Sequence, residues 1–277
     1  MRFETCCFGY GLVEAPRPTD DGGCLFSDAL GGGINRWRPD GMVSTVVPKR
    51  RGVGGMVPHA AGGLVVSGRD VVHVRDGVSR VLLPATDGIV GFNDLTTDAA
   101  GRVYVGSLRS PALDDGGPRI PGALHRIDLD GTTSVFYDDV AFANGVGFAP
   151  DERVVYQSNY SAREVLAHDV VDGRATRRRV FATPPRGNPD GLAVDELGCV
   201  WVACGSGRGL ARFTPDGRLD AFVDVPAPFV ASLCFGGDDR RTLFVATMGN
   251  AEDETRGGTL FRTRVEVAGL RVAPARV

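Results

Sequence analysis

The chain lacks what would send it to a membrane, to nucleic acid or to an oxidising compartment. No apolar run reaches the roughly 18 residues that a membrane-spanning helix needs. A formal net charge of −3 on 277 residues leaves no basic face for a phosphate backbone or an acidic lipid surface. The arginine run Arg177 to Arg179 reads as a solvated strand edge. Six cysteines are present (Cys6, Cys7, Cys24, Cys199, Cys204 and Cys234), but none forms a C-x-x-C pair or a zinc-ligand spacing. Met1 to Glu14 has no basic stretch followed by an apolar one, so a cytoplasmic protein with free thiols is expected. There is no G-x-S-x-G elbow for a nucleophilic serine. Gly31 to Gly33 lacks the strand-to-helix setting of a phosphate loop and reads as a hairpin turn. No segment carries a convincing helical stripe.

Glycine, in contrast, is abundant, with 39 residues. Many glycines among short apolar stretches imply many tight turns between many short strands. The strands repeat. Asp190 to Cys204 reads DGLAVDELGCVWVAC, an apolar stretch, a polar turn and a second apolar strand, and GLARFTPDG follows it. NDLTTDAAGRVYVGS from Asn93, NGVGFAPDERVVYQS from Asn144 and SLCFGGDDRRTLFVAT from Ser232 match it. GGMVPHAAGGLVVS from Gly54 and EAPRPTDDGGCLFS from Glu14 are more divergent copies. The six copies start 39 to 51 residues apart. That period, with about four strands per unit, is the period of a propeller blade. The expected fold is all-β, a six-bladed β-propeller with a central metal site, forming one domain over residues 1–277. The segment RFETCCFGY is expected to complete the last blade and close the ring. The longest repeat contains PALDDGGPRIPG, Pro111 to Gly122, a Pro- and Gly-rich loop placed to shape a binding site.

Equivalent positions of the innermost strands form a ring around a propeller's axis. Here that ring is Glu14, Gly54, Asn93, Asn144, Asp190 and Ser232, five of the six with oxygen-bearing side chains. Carboxylates and amides aimed into one channel repel or lose hydration unless a cation joins them. The donors are hard oxygens, which favours Ca²⁺, Mg²⁺ or Mn²⁺ and leaves Zn²⁺ open. Asn-Gly and Asp-Gly are also turn formers, so it is the matched register of six copies that points to a site. His59 falls where other copies place a turn aspartate, Asp98 or Asp195. His73, His125 and His168 fall in outer strands, where blade surfaces are expected.

At these residues the sequence resembles the family of senescence marker protein, gluconolactonase and luciferin-regenerating enzyme. The resemblance is carried by GFNDLTTDAAGRVYVGS, ANGVGFAPDERVVYQSN, NPDGLAVDELGCVWVAC and CFGGDDRRTLFVAT and extends over nearly the whole chain. It implies one axial divalent cation, Ca²⁺ first among the candidates, held by Glu14, Asn144 and Asp190. It also implies a channel asparagine, Asn93, that contacts substrate or water, and a second role for Asp190 as general base. The expected activity is metal-dependent hydrolysis of a small lactone or ester. An isomerase or lyase on the same site, or a non-catalytic propeller that binds a metabolite or calcium, are the alternatives. The sequence departs from the pattern at three places. Gly91 stands where lactonases acting on sugar acids carry an arginine, Arg17 stands at a usual tryptophan, and Asn159 at a usual aspartate. Arg17, Arg109 and Arg119 are the candidate substitutes for the missing substrate arginine.

Overall fold

The computed structural model describes residues 1–86, 88–110 and 119–277. The chain opens with β1 (Glu4–Tyr10). Blade 1 is β2 (Val13–Pro18), β3 (Cys24–Asp28), β4 (Ile34–Trp37) and β5 (Val43–Val47). Blade 2 is β6 (Met56–Pro58), β7 (Leu64–Val66), β8 (Val71–Arg75) and β9 (Val78–Leu83). Blade 3 is β10 (Gly91–Thr97), β11 (Val103–Leu108), β12 (Gly122–Ile127) and β13 (Thr133–Val140). Blade 4 is β14 (Ala143–Phe148), β15 (Val154–Asn159), β16 (Glu164–Val171) and β17 (Arg174–Ala182). Blade 5 is β18 (Leu192–Val194), β19 (Val200–Ala203), β20 (Gly209–Phe213) and β21 (Leu219–Asp224). Blade 6 is β22 (Phe229–Gly236), β23 (Thr242–Met248) and β24 (Gly258–Arg264), with β1 paired antiparallel to β24 in fourth place.

This is the expected six-bladed propeller, closed by the expected N-terminal strand. Among the described residues the only helical element is one 3₁₀ turn, Glu254–Arg256. All six cysteines are free, and among the described residues no helix is long and apolar enough to cross a membrane. Of the loop Pro111 to Gly122, residues 111–118 lie outside the described residues. Arg177 to Arg179 lie exposed on the outermost strand of blade 4, as a solvated edge should.

The blades pack through apolar side chains between successive sheets. Val165, Ala167 and Tyr156 of blade 4 meet Leu192, Val194, Val200 and Val202 of blade 5, all buried. Burying such faces on both neighbours is what makes the ring closure worth its entropy.

Each blade's first turn is organised by a polar residue. Asp195 is fully buried. Its Oδ1 accepts the Leu197 and Cys199 backbone N–H groups at 3.0 Å each. Its Oδ2 accepts Trp201 Nε1 at 3.0 Å and Arg212 Nε and Nη2 at 3.0 and 2.7 Å. Asp98 does the same work in blade 3 with Arg102 and Tyr104. In blade 2 His59 takes this place as expected, accepting the Ala61 N–H at 3.1 Å through Nδ1.

The C-terminal tail crosses the turn end of the channel. Leu270 N–H bonds the Val194 carbonyl of blade 5, and the Ala273 carbonyl accepts the Thr97 hydroxyl of blade 3. Ala275 N–H reaches the Pro58 carbonyl of blade 2. Blades 5 and 2 stand opposite one another in a ring of six, so the tail spans the diameter.

His168 corrects the surface placement expected for it. It is 5 % exposed and stacks on Tyr137 with ring centroids 3.8 Å apart, at the contact between blades 3 and 4. Alternation along β16 says which sheet face a residue takes, not whether a neighbouring blade covers that face. Burial, with Arg178 and Arg179 close by, pushes the imidazole down to about 4 from its ordinary 6.5. A folded value below the unfolded one favours the neutral ring, so this stability is complete above pH 6.5 and is lost as pH falls towards 4. We expect acid unfolding over that window to relax by about 2 kcal/mol in His168→Gln. Urea melts of both proteins at pH 7 and pH 4.5 check this, and parallel losses in the two would refute it.

Candidate active site on the channel axis

The innermost strands do not run straight past the axis. Four of them break register with their neighbours at the ring: between Glu14 and Arg17, Phe92 and Leu95, Ala143 and Val146, and Val230 and Ser232. Such bulges bend a strand and re-aim a side chain. At the first of them Ala15 has a left-handed backbone with φ +49°, a conformation that costs a non-glycine residue energy and places Glu14. In blade 5 the ring residue lies just before the strand. Asp190 N–H bonds the Ala203 carbonyl at 2.7 Å, and Gly191 N–H bonds Ala231 of the next blade at 2.8 Å.

The structure brings together Glu14, Asn144 and Asp190. Asn144 lies close enough to the Asp190 carboxylate to hold its pKa down. Asp190 and Asn144 are buried, and Glu14 keeps part of its surface open. Burial first, then the Asp190 and Asp94 charges, holds Glu14 well above the usual carboxylate range. Burial and Asp94 do the same to Asp190, against the pull of Asn144 and the Gly191 N–H. Asp190 Oδ1 is buried without a hydrogen-bond partner. An orphaned carboxylate oxygen among mutually repelling acids is an arrangement a divalent cation would complete. Among the described residues no three Asp, Glu, His or Cys side chains form a closed cage. The donor set that fits is mixed, two carboxylates and an amide, all hard oxygens suited to Ca²⁺, Mg²⁺ or Mn²⁺, with Zn²⁺ less well matched.

Asn93 joins the ring with its Nδ2 donated to the Ala143 carbonyl of blade 4 at 3.0 Å. Its Oδ1 lies over Gly54, where any Cβ would collide with it. Ser232 stands over Gly191 in the same way. Gly54 is thus the ring position that yields its space to its neighbour.

A third acid, Asp94, was not legible as a site residue. It is 4 % exposed and lies one residue further along the channel than Asn93. Burial pushes it up to about 6, against the pull of Arg17 and the Leu95 N–H bonded to its Oδ1 at 2.8 Å. Arg17, a candidate substrate contact, is placed here and not at the rim. It is 8 % exposed, with Nη2 2.8 Å from the Leu95 carbonyl and 3.6 Å from Asp94 Oδ1.

The rim is built at the other end of these strands. The Arg119 guanidinium lies 4.8 Å from the Phe142 ring centre, and Phe142 packs edge-on against Tyr160. Burial and the Asp190 charge raise Tyr160, while Arg119 opposes them, so these groups flank the ring. Asn188 Nδ2 donates to the Tyr160 carbonyl at 3.0 Å. Asn159 braces the same rim, accepting Phe142 N–H and donating to Glu164. Arg109 is exposed beside Gly88. At Gly91 a Cβ would sit 3.1 Å from the Gly68 carbonyl oxygen, so backbone closes the wall there.

The SMP-30/Gluconolactonase/LRE-like region model matches residues 12–249. A 6-deoxy-6-sulfogluconolactonase of Pseudomonas putida is 32% identical over 261 residues, covering 88% of this chain and 87% of that protein. A pentonolactonase of Haloferax volcanii is 32% identical over 282 residues, covering 96% and 93%. Among solved structures a luciferin-regenerating enzyme superposes with a TM-score of 0.87 at 22% identity, covering 100% of this chain and 99% of that one.

Proposed function

Starting from the fact that the chain belongs to the SMP-30/gluconolactonase/LRE-like family, we propose that it hydrolyses a small lactone at the channel ring with the help of one divalent cation. The observation that carries this is the convergence of Glu14, Asn144 and Asp190, with the Asp190 Oδ1 atom left unpartnered. Relatives named for two sugar-acid lactones support lactones over other esters. Glu14, Asn144 and Asp190 would hold the cation, with Ca²⁺ the first candidate. When bound it supplies a Lewis acid for the lactone carbonyl.

The chain's own residues do the rest. Asp190, fixed by its backbone bonds to blades 5 and 4, stands at the ring to take the proton of an attacking water on a carboxylate oxygen. Asn93, held by the Ala143 carbonyl, orients substrate or water with its amide. Phe142 and Tyr160 would line an apolar wall beside the ring, with the Arg119 guanidinium stacked on Phe142 at the rim. The partner is accordingly a small molecule.

The test is a panel of lactones and esters assayed by acid release on metal-stripped protein reconstituted with each divalent ion. Acid release from a lactone that depends on the added ion is expected. A product of unchanged mass would point instead to an isomerase. No acid from any lactone would end the hydrolase reading. Within that panel gluconolactone is expected to turn over about tenfold more slowly, in kcat/KM, than a less hydroxylated lactone. Gly91 has no charged reach, and one lost charge-assisted hydrogen bond is worth about 1.5 kcal/mol. The reverse order would show that Arg119 replaces the missing arginine in full.

A further inference from the structure

We propose that Arg17 is a resident counter-cation of the axial site, a positioning residue that holds the three channel acids together without a metal and weakens the metal's grip. The affinity half of this rests on the axial-cation reading above.

Three acids, Glu14, Asp94 and Asp190, act on one another electrostatically in the channel. Arg17 is the basic group paired with Asp94, the acid whose charge reaches both of the others. It leaves β2 at the bulge and reaches across to β10, passing blade 2. Blade 2 admits it because Gly55 lays its backbone against Asp94 and Leu95, where a Cβ would stand 2.9 Å from Asp94 Cα. The guanidinium cannot swing towards the ring. Nη1 donates to the Pro16 carbonyl at 2.9 Å and Nη2 to the Leu95 carbonyl at 2.8 Å, while Asp94 lies 3.6 Å away. Its Nε is buried without a hydrogen-bond partner, so the group is held for its charge and is not saturated by bonds.

A fixed buried charge acts in two directions. It offsets repulsion among the carboxylates when no ion is present. The same field repels an incoming divalent cation, because both are positive. Loss of Arg17 should therefore destabilise the metal-free protein and tighten metal binding, a combination that mere loss of packing would not give.

The experiment measures the melting temperature of chelator-treated protein and the Ca²⁺ dissociation constant by calorimetry. Wild type, Arg17→Gln, Arg17→Lys, Asp94→Asn and the double variant Arg17→Gln/Asp94→Asn are compared. In Arg17→Gln the metal-free melting temperature should fall and Ca²⁺ should bind about tenfold more tightly. Arg17→Lys should stay near wild type in both. Asp94→Asn should bind Ca²⁺ about tenfold more weakly, since an acid is lost and the arginine stays. The double variant should recover the metal-free melting temperature and lose the tightening. If Arg17→Gln does not fold, Asp94→Asn decides, and an unchanged Ca²⁺ affinity there overturns the proposal. Unchanged or weaker Ca²⁺ binding in a folded Arg17→Gln protein overturns it too. If wild type takes up no Ca²⁺, Mg²⁺ or Mn²⁺, the axial-cation reading fails with the affinity half, and the metal-free melting temperatures alone judge the counter-cation.

Discussion

Asp190→Ala should lower kcat/KM on the best lactone by about a thousandfold or more, the scale on which loss of a group that both orients and activates reactants is felt. The residue contributes one of the two ring carboxylates and the unpartnered Oδ1, and it is the proposed proton acceptor. A chelator should lower the melting temperature of the wild type, because an ion bound only by the folded state stabilises it. In Asp190→Ala the chelator should change little. The substitution also removes a source of repulsion from Glu14, so the metal-free variant should be no less stable than the metal-free wild type. Activity within tenfold of wild type would remove Asp190 from the chemistry. A chelator shift equal to the wild type's would remove it from the ion's ligands.

The largest loss of stability is expected far from the ring, at Asp195→Ala. Five donors converge on this fully buried carboxylate, two of them from Arg212. Deleting it leaves a half-buried guanidinium with Asp220 alone and strands an indole N–H and two backbone N–H groups. Breaking a buried pair in this manner costs about 3–5 kcal/mol. In a chain of this size that is a drop of roughly 10 °C in Tm. Asp195→Asn keeps an acceptor for the turn and loses the ion pair, so it should fall between. Calorimetric melts at pH 7 order the three proteins, and an Ala variant within 2 °C of wild type would show that water replaces the carboxylate.

The blades and the ring were legible because both follow from period. A repeat of fixed length forces equivalent residues onto equivalent places, so Glu14, Gly54, Asn93, Asn144, Asp190 and Ser232 could be aligned without knowing a single contact. Asp94, and the inward course of Arg17, are hidden by the other period, that of the strand. Strict alternation sends Asp94 to the face opposite Asn93. The register break between Phe92 and Leu95 cancels that alternation, and the break after Glu14 does the same for Arg17. Bulges leave little trace in composition. The Asn-Asp pair was the available signal, two polar residues in succession at the start of an otherwise apolar strand. Phe142, Tyr160 and Asn188 lie in connections between strands, where no period operates. His168 was misread because its cover comes from Tyr137 in another blade. What Gly91 lacks was visible in the sequence. That its wall is closed by the Gly68 carbonyl was not.

The tail that spans the turn end has a kinetic meaning. Leu270, Ala273 and Ala275 tie blades 5, 3 and 2 across the axis beyond the Arg17–Asp94 pair. If the ring opens a lactone as proposed, with the tail lying across the turn end, arrival and departure both use the side of Phe142 and Tyr160. The product of lactone opening is an acid, and it must back out past the same groups that admitted the neutral ring. Substrate and product therefore exclude one another by queueing at one door, and the rate at which the acid leaves sets an upper limit on turnover however fast the bond is broken.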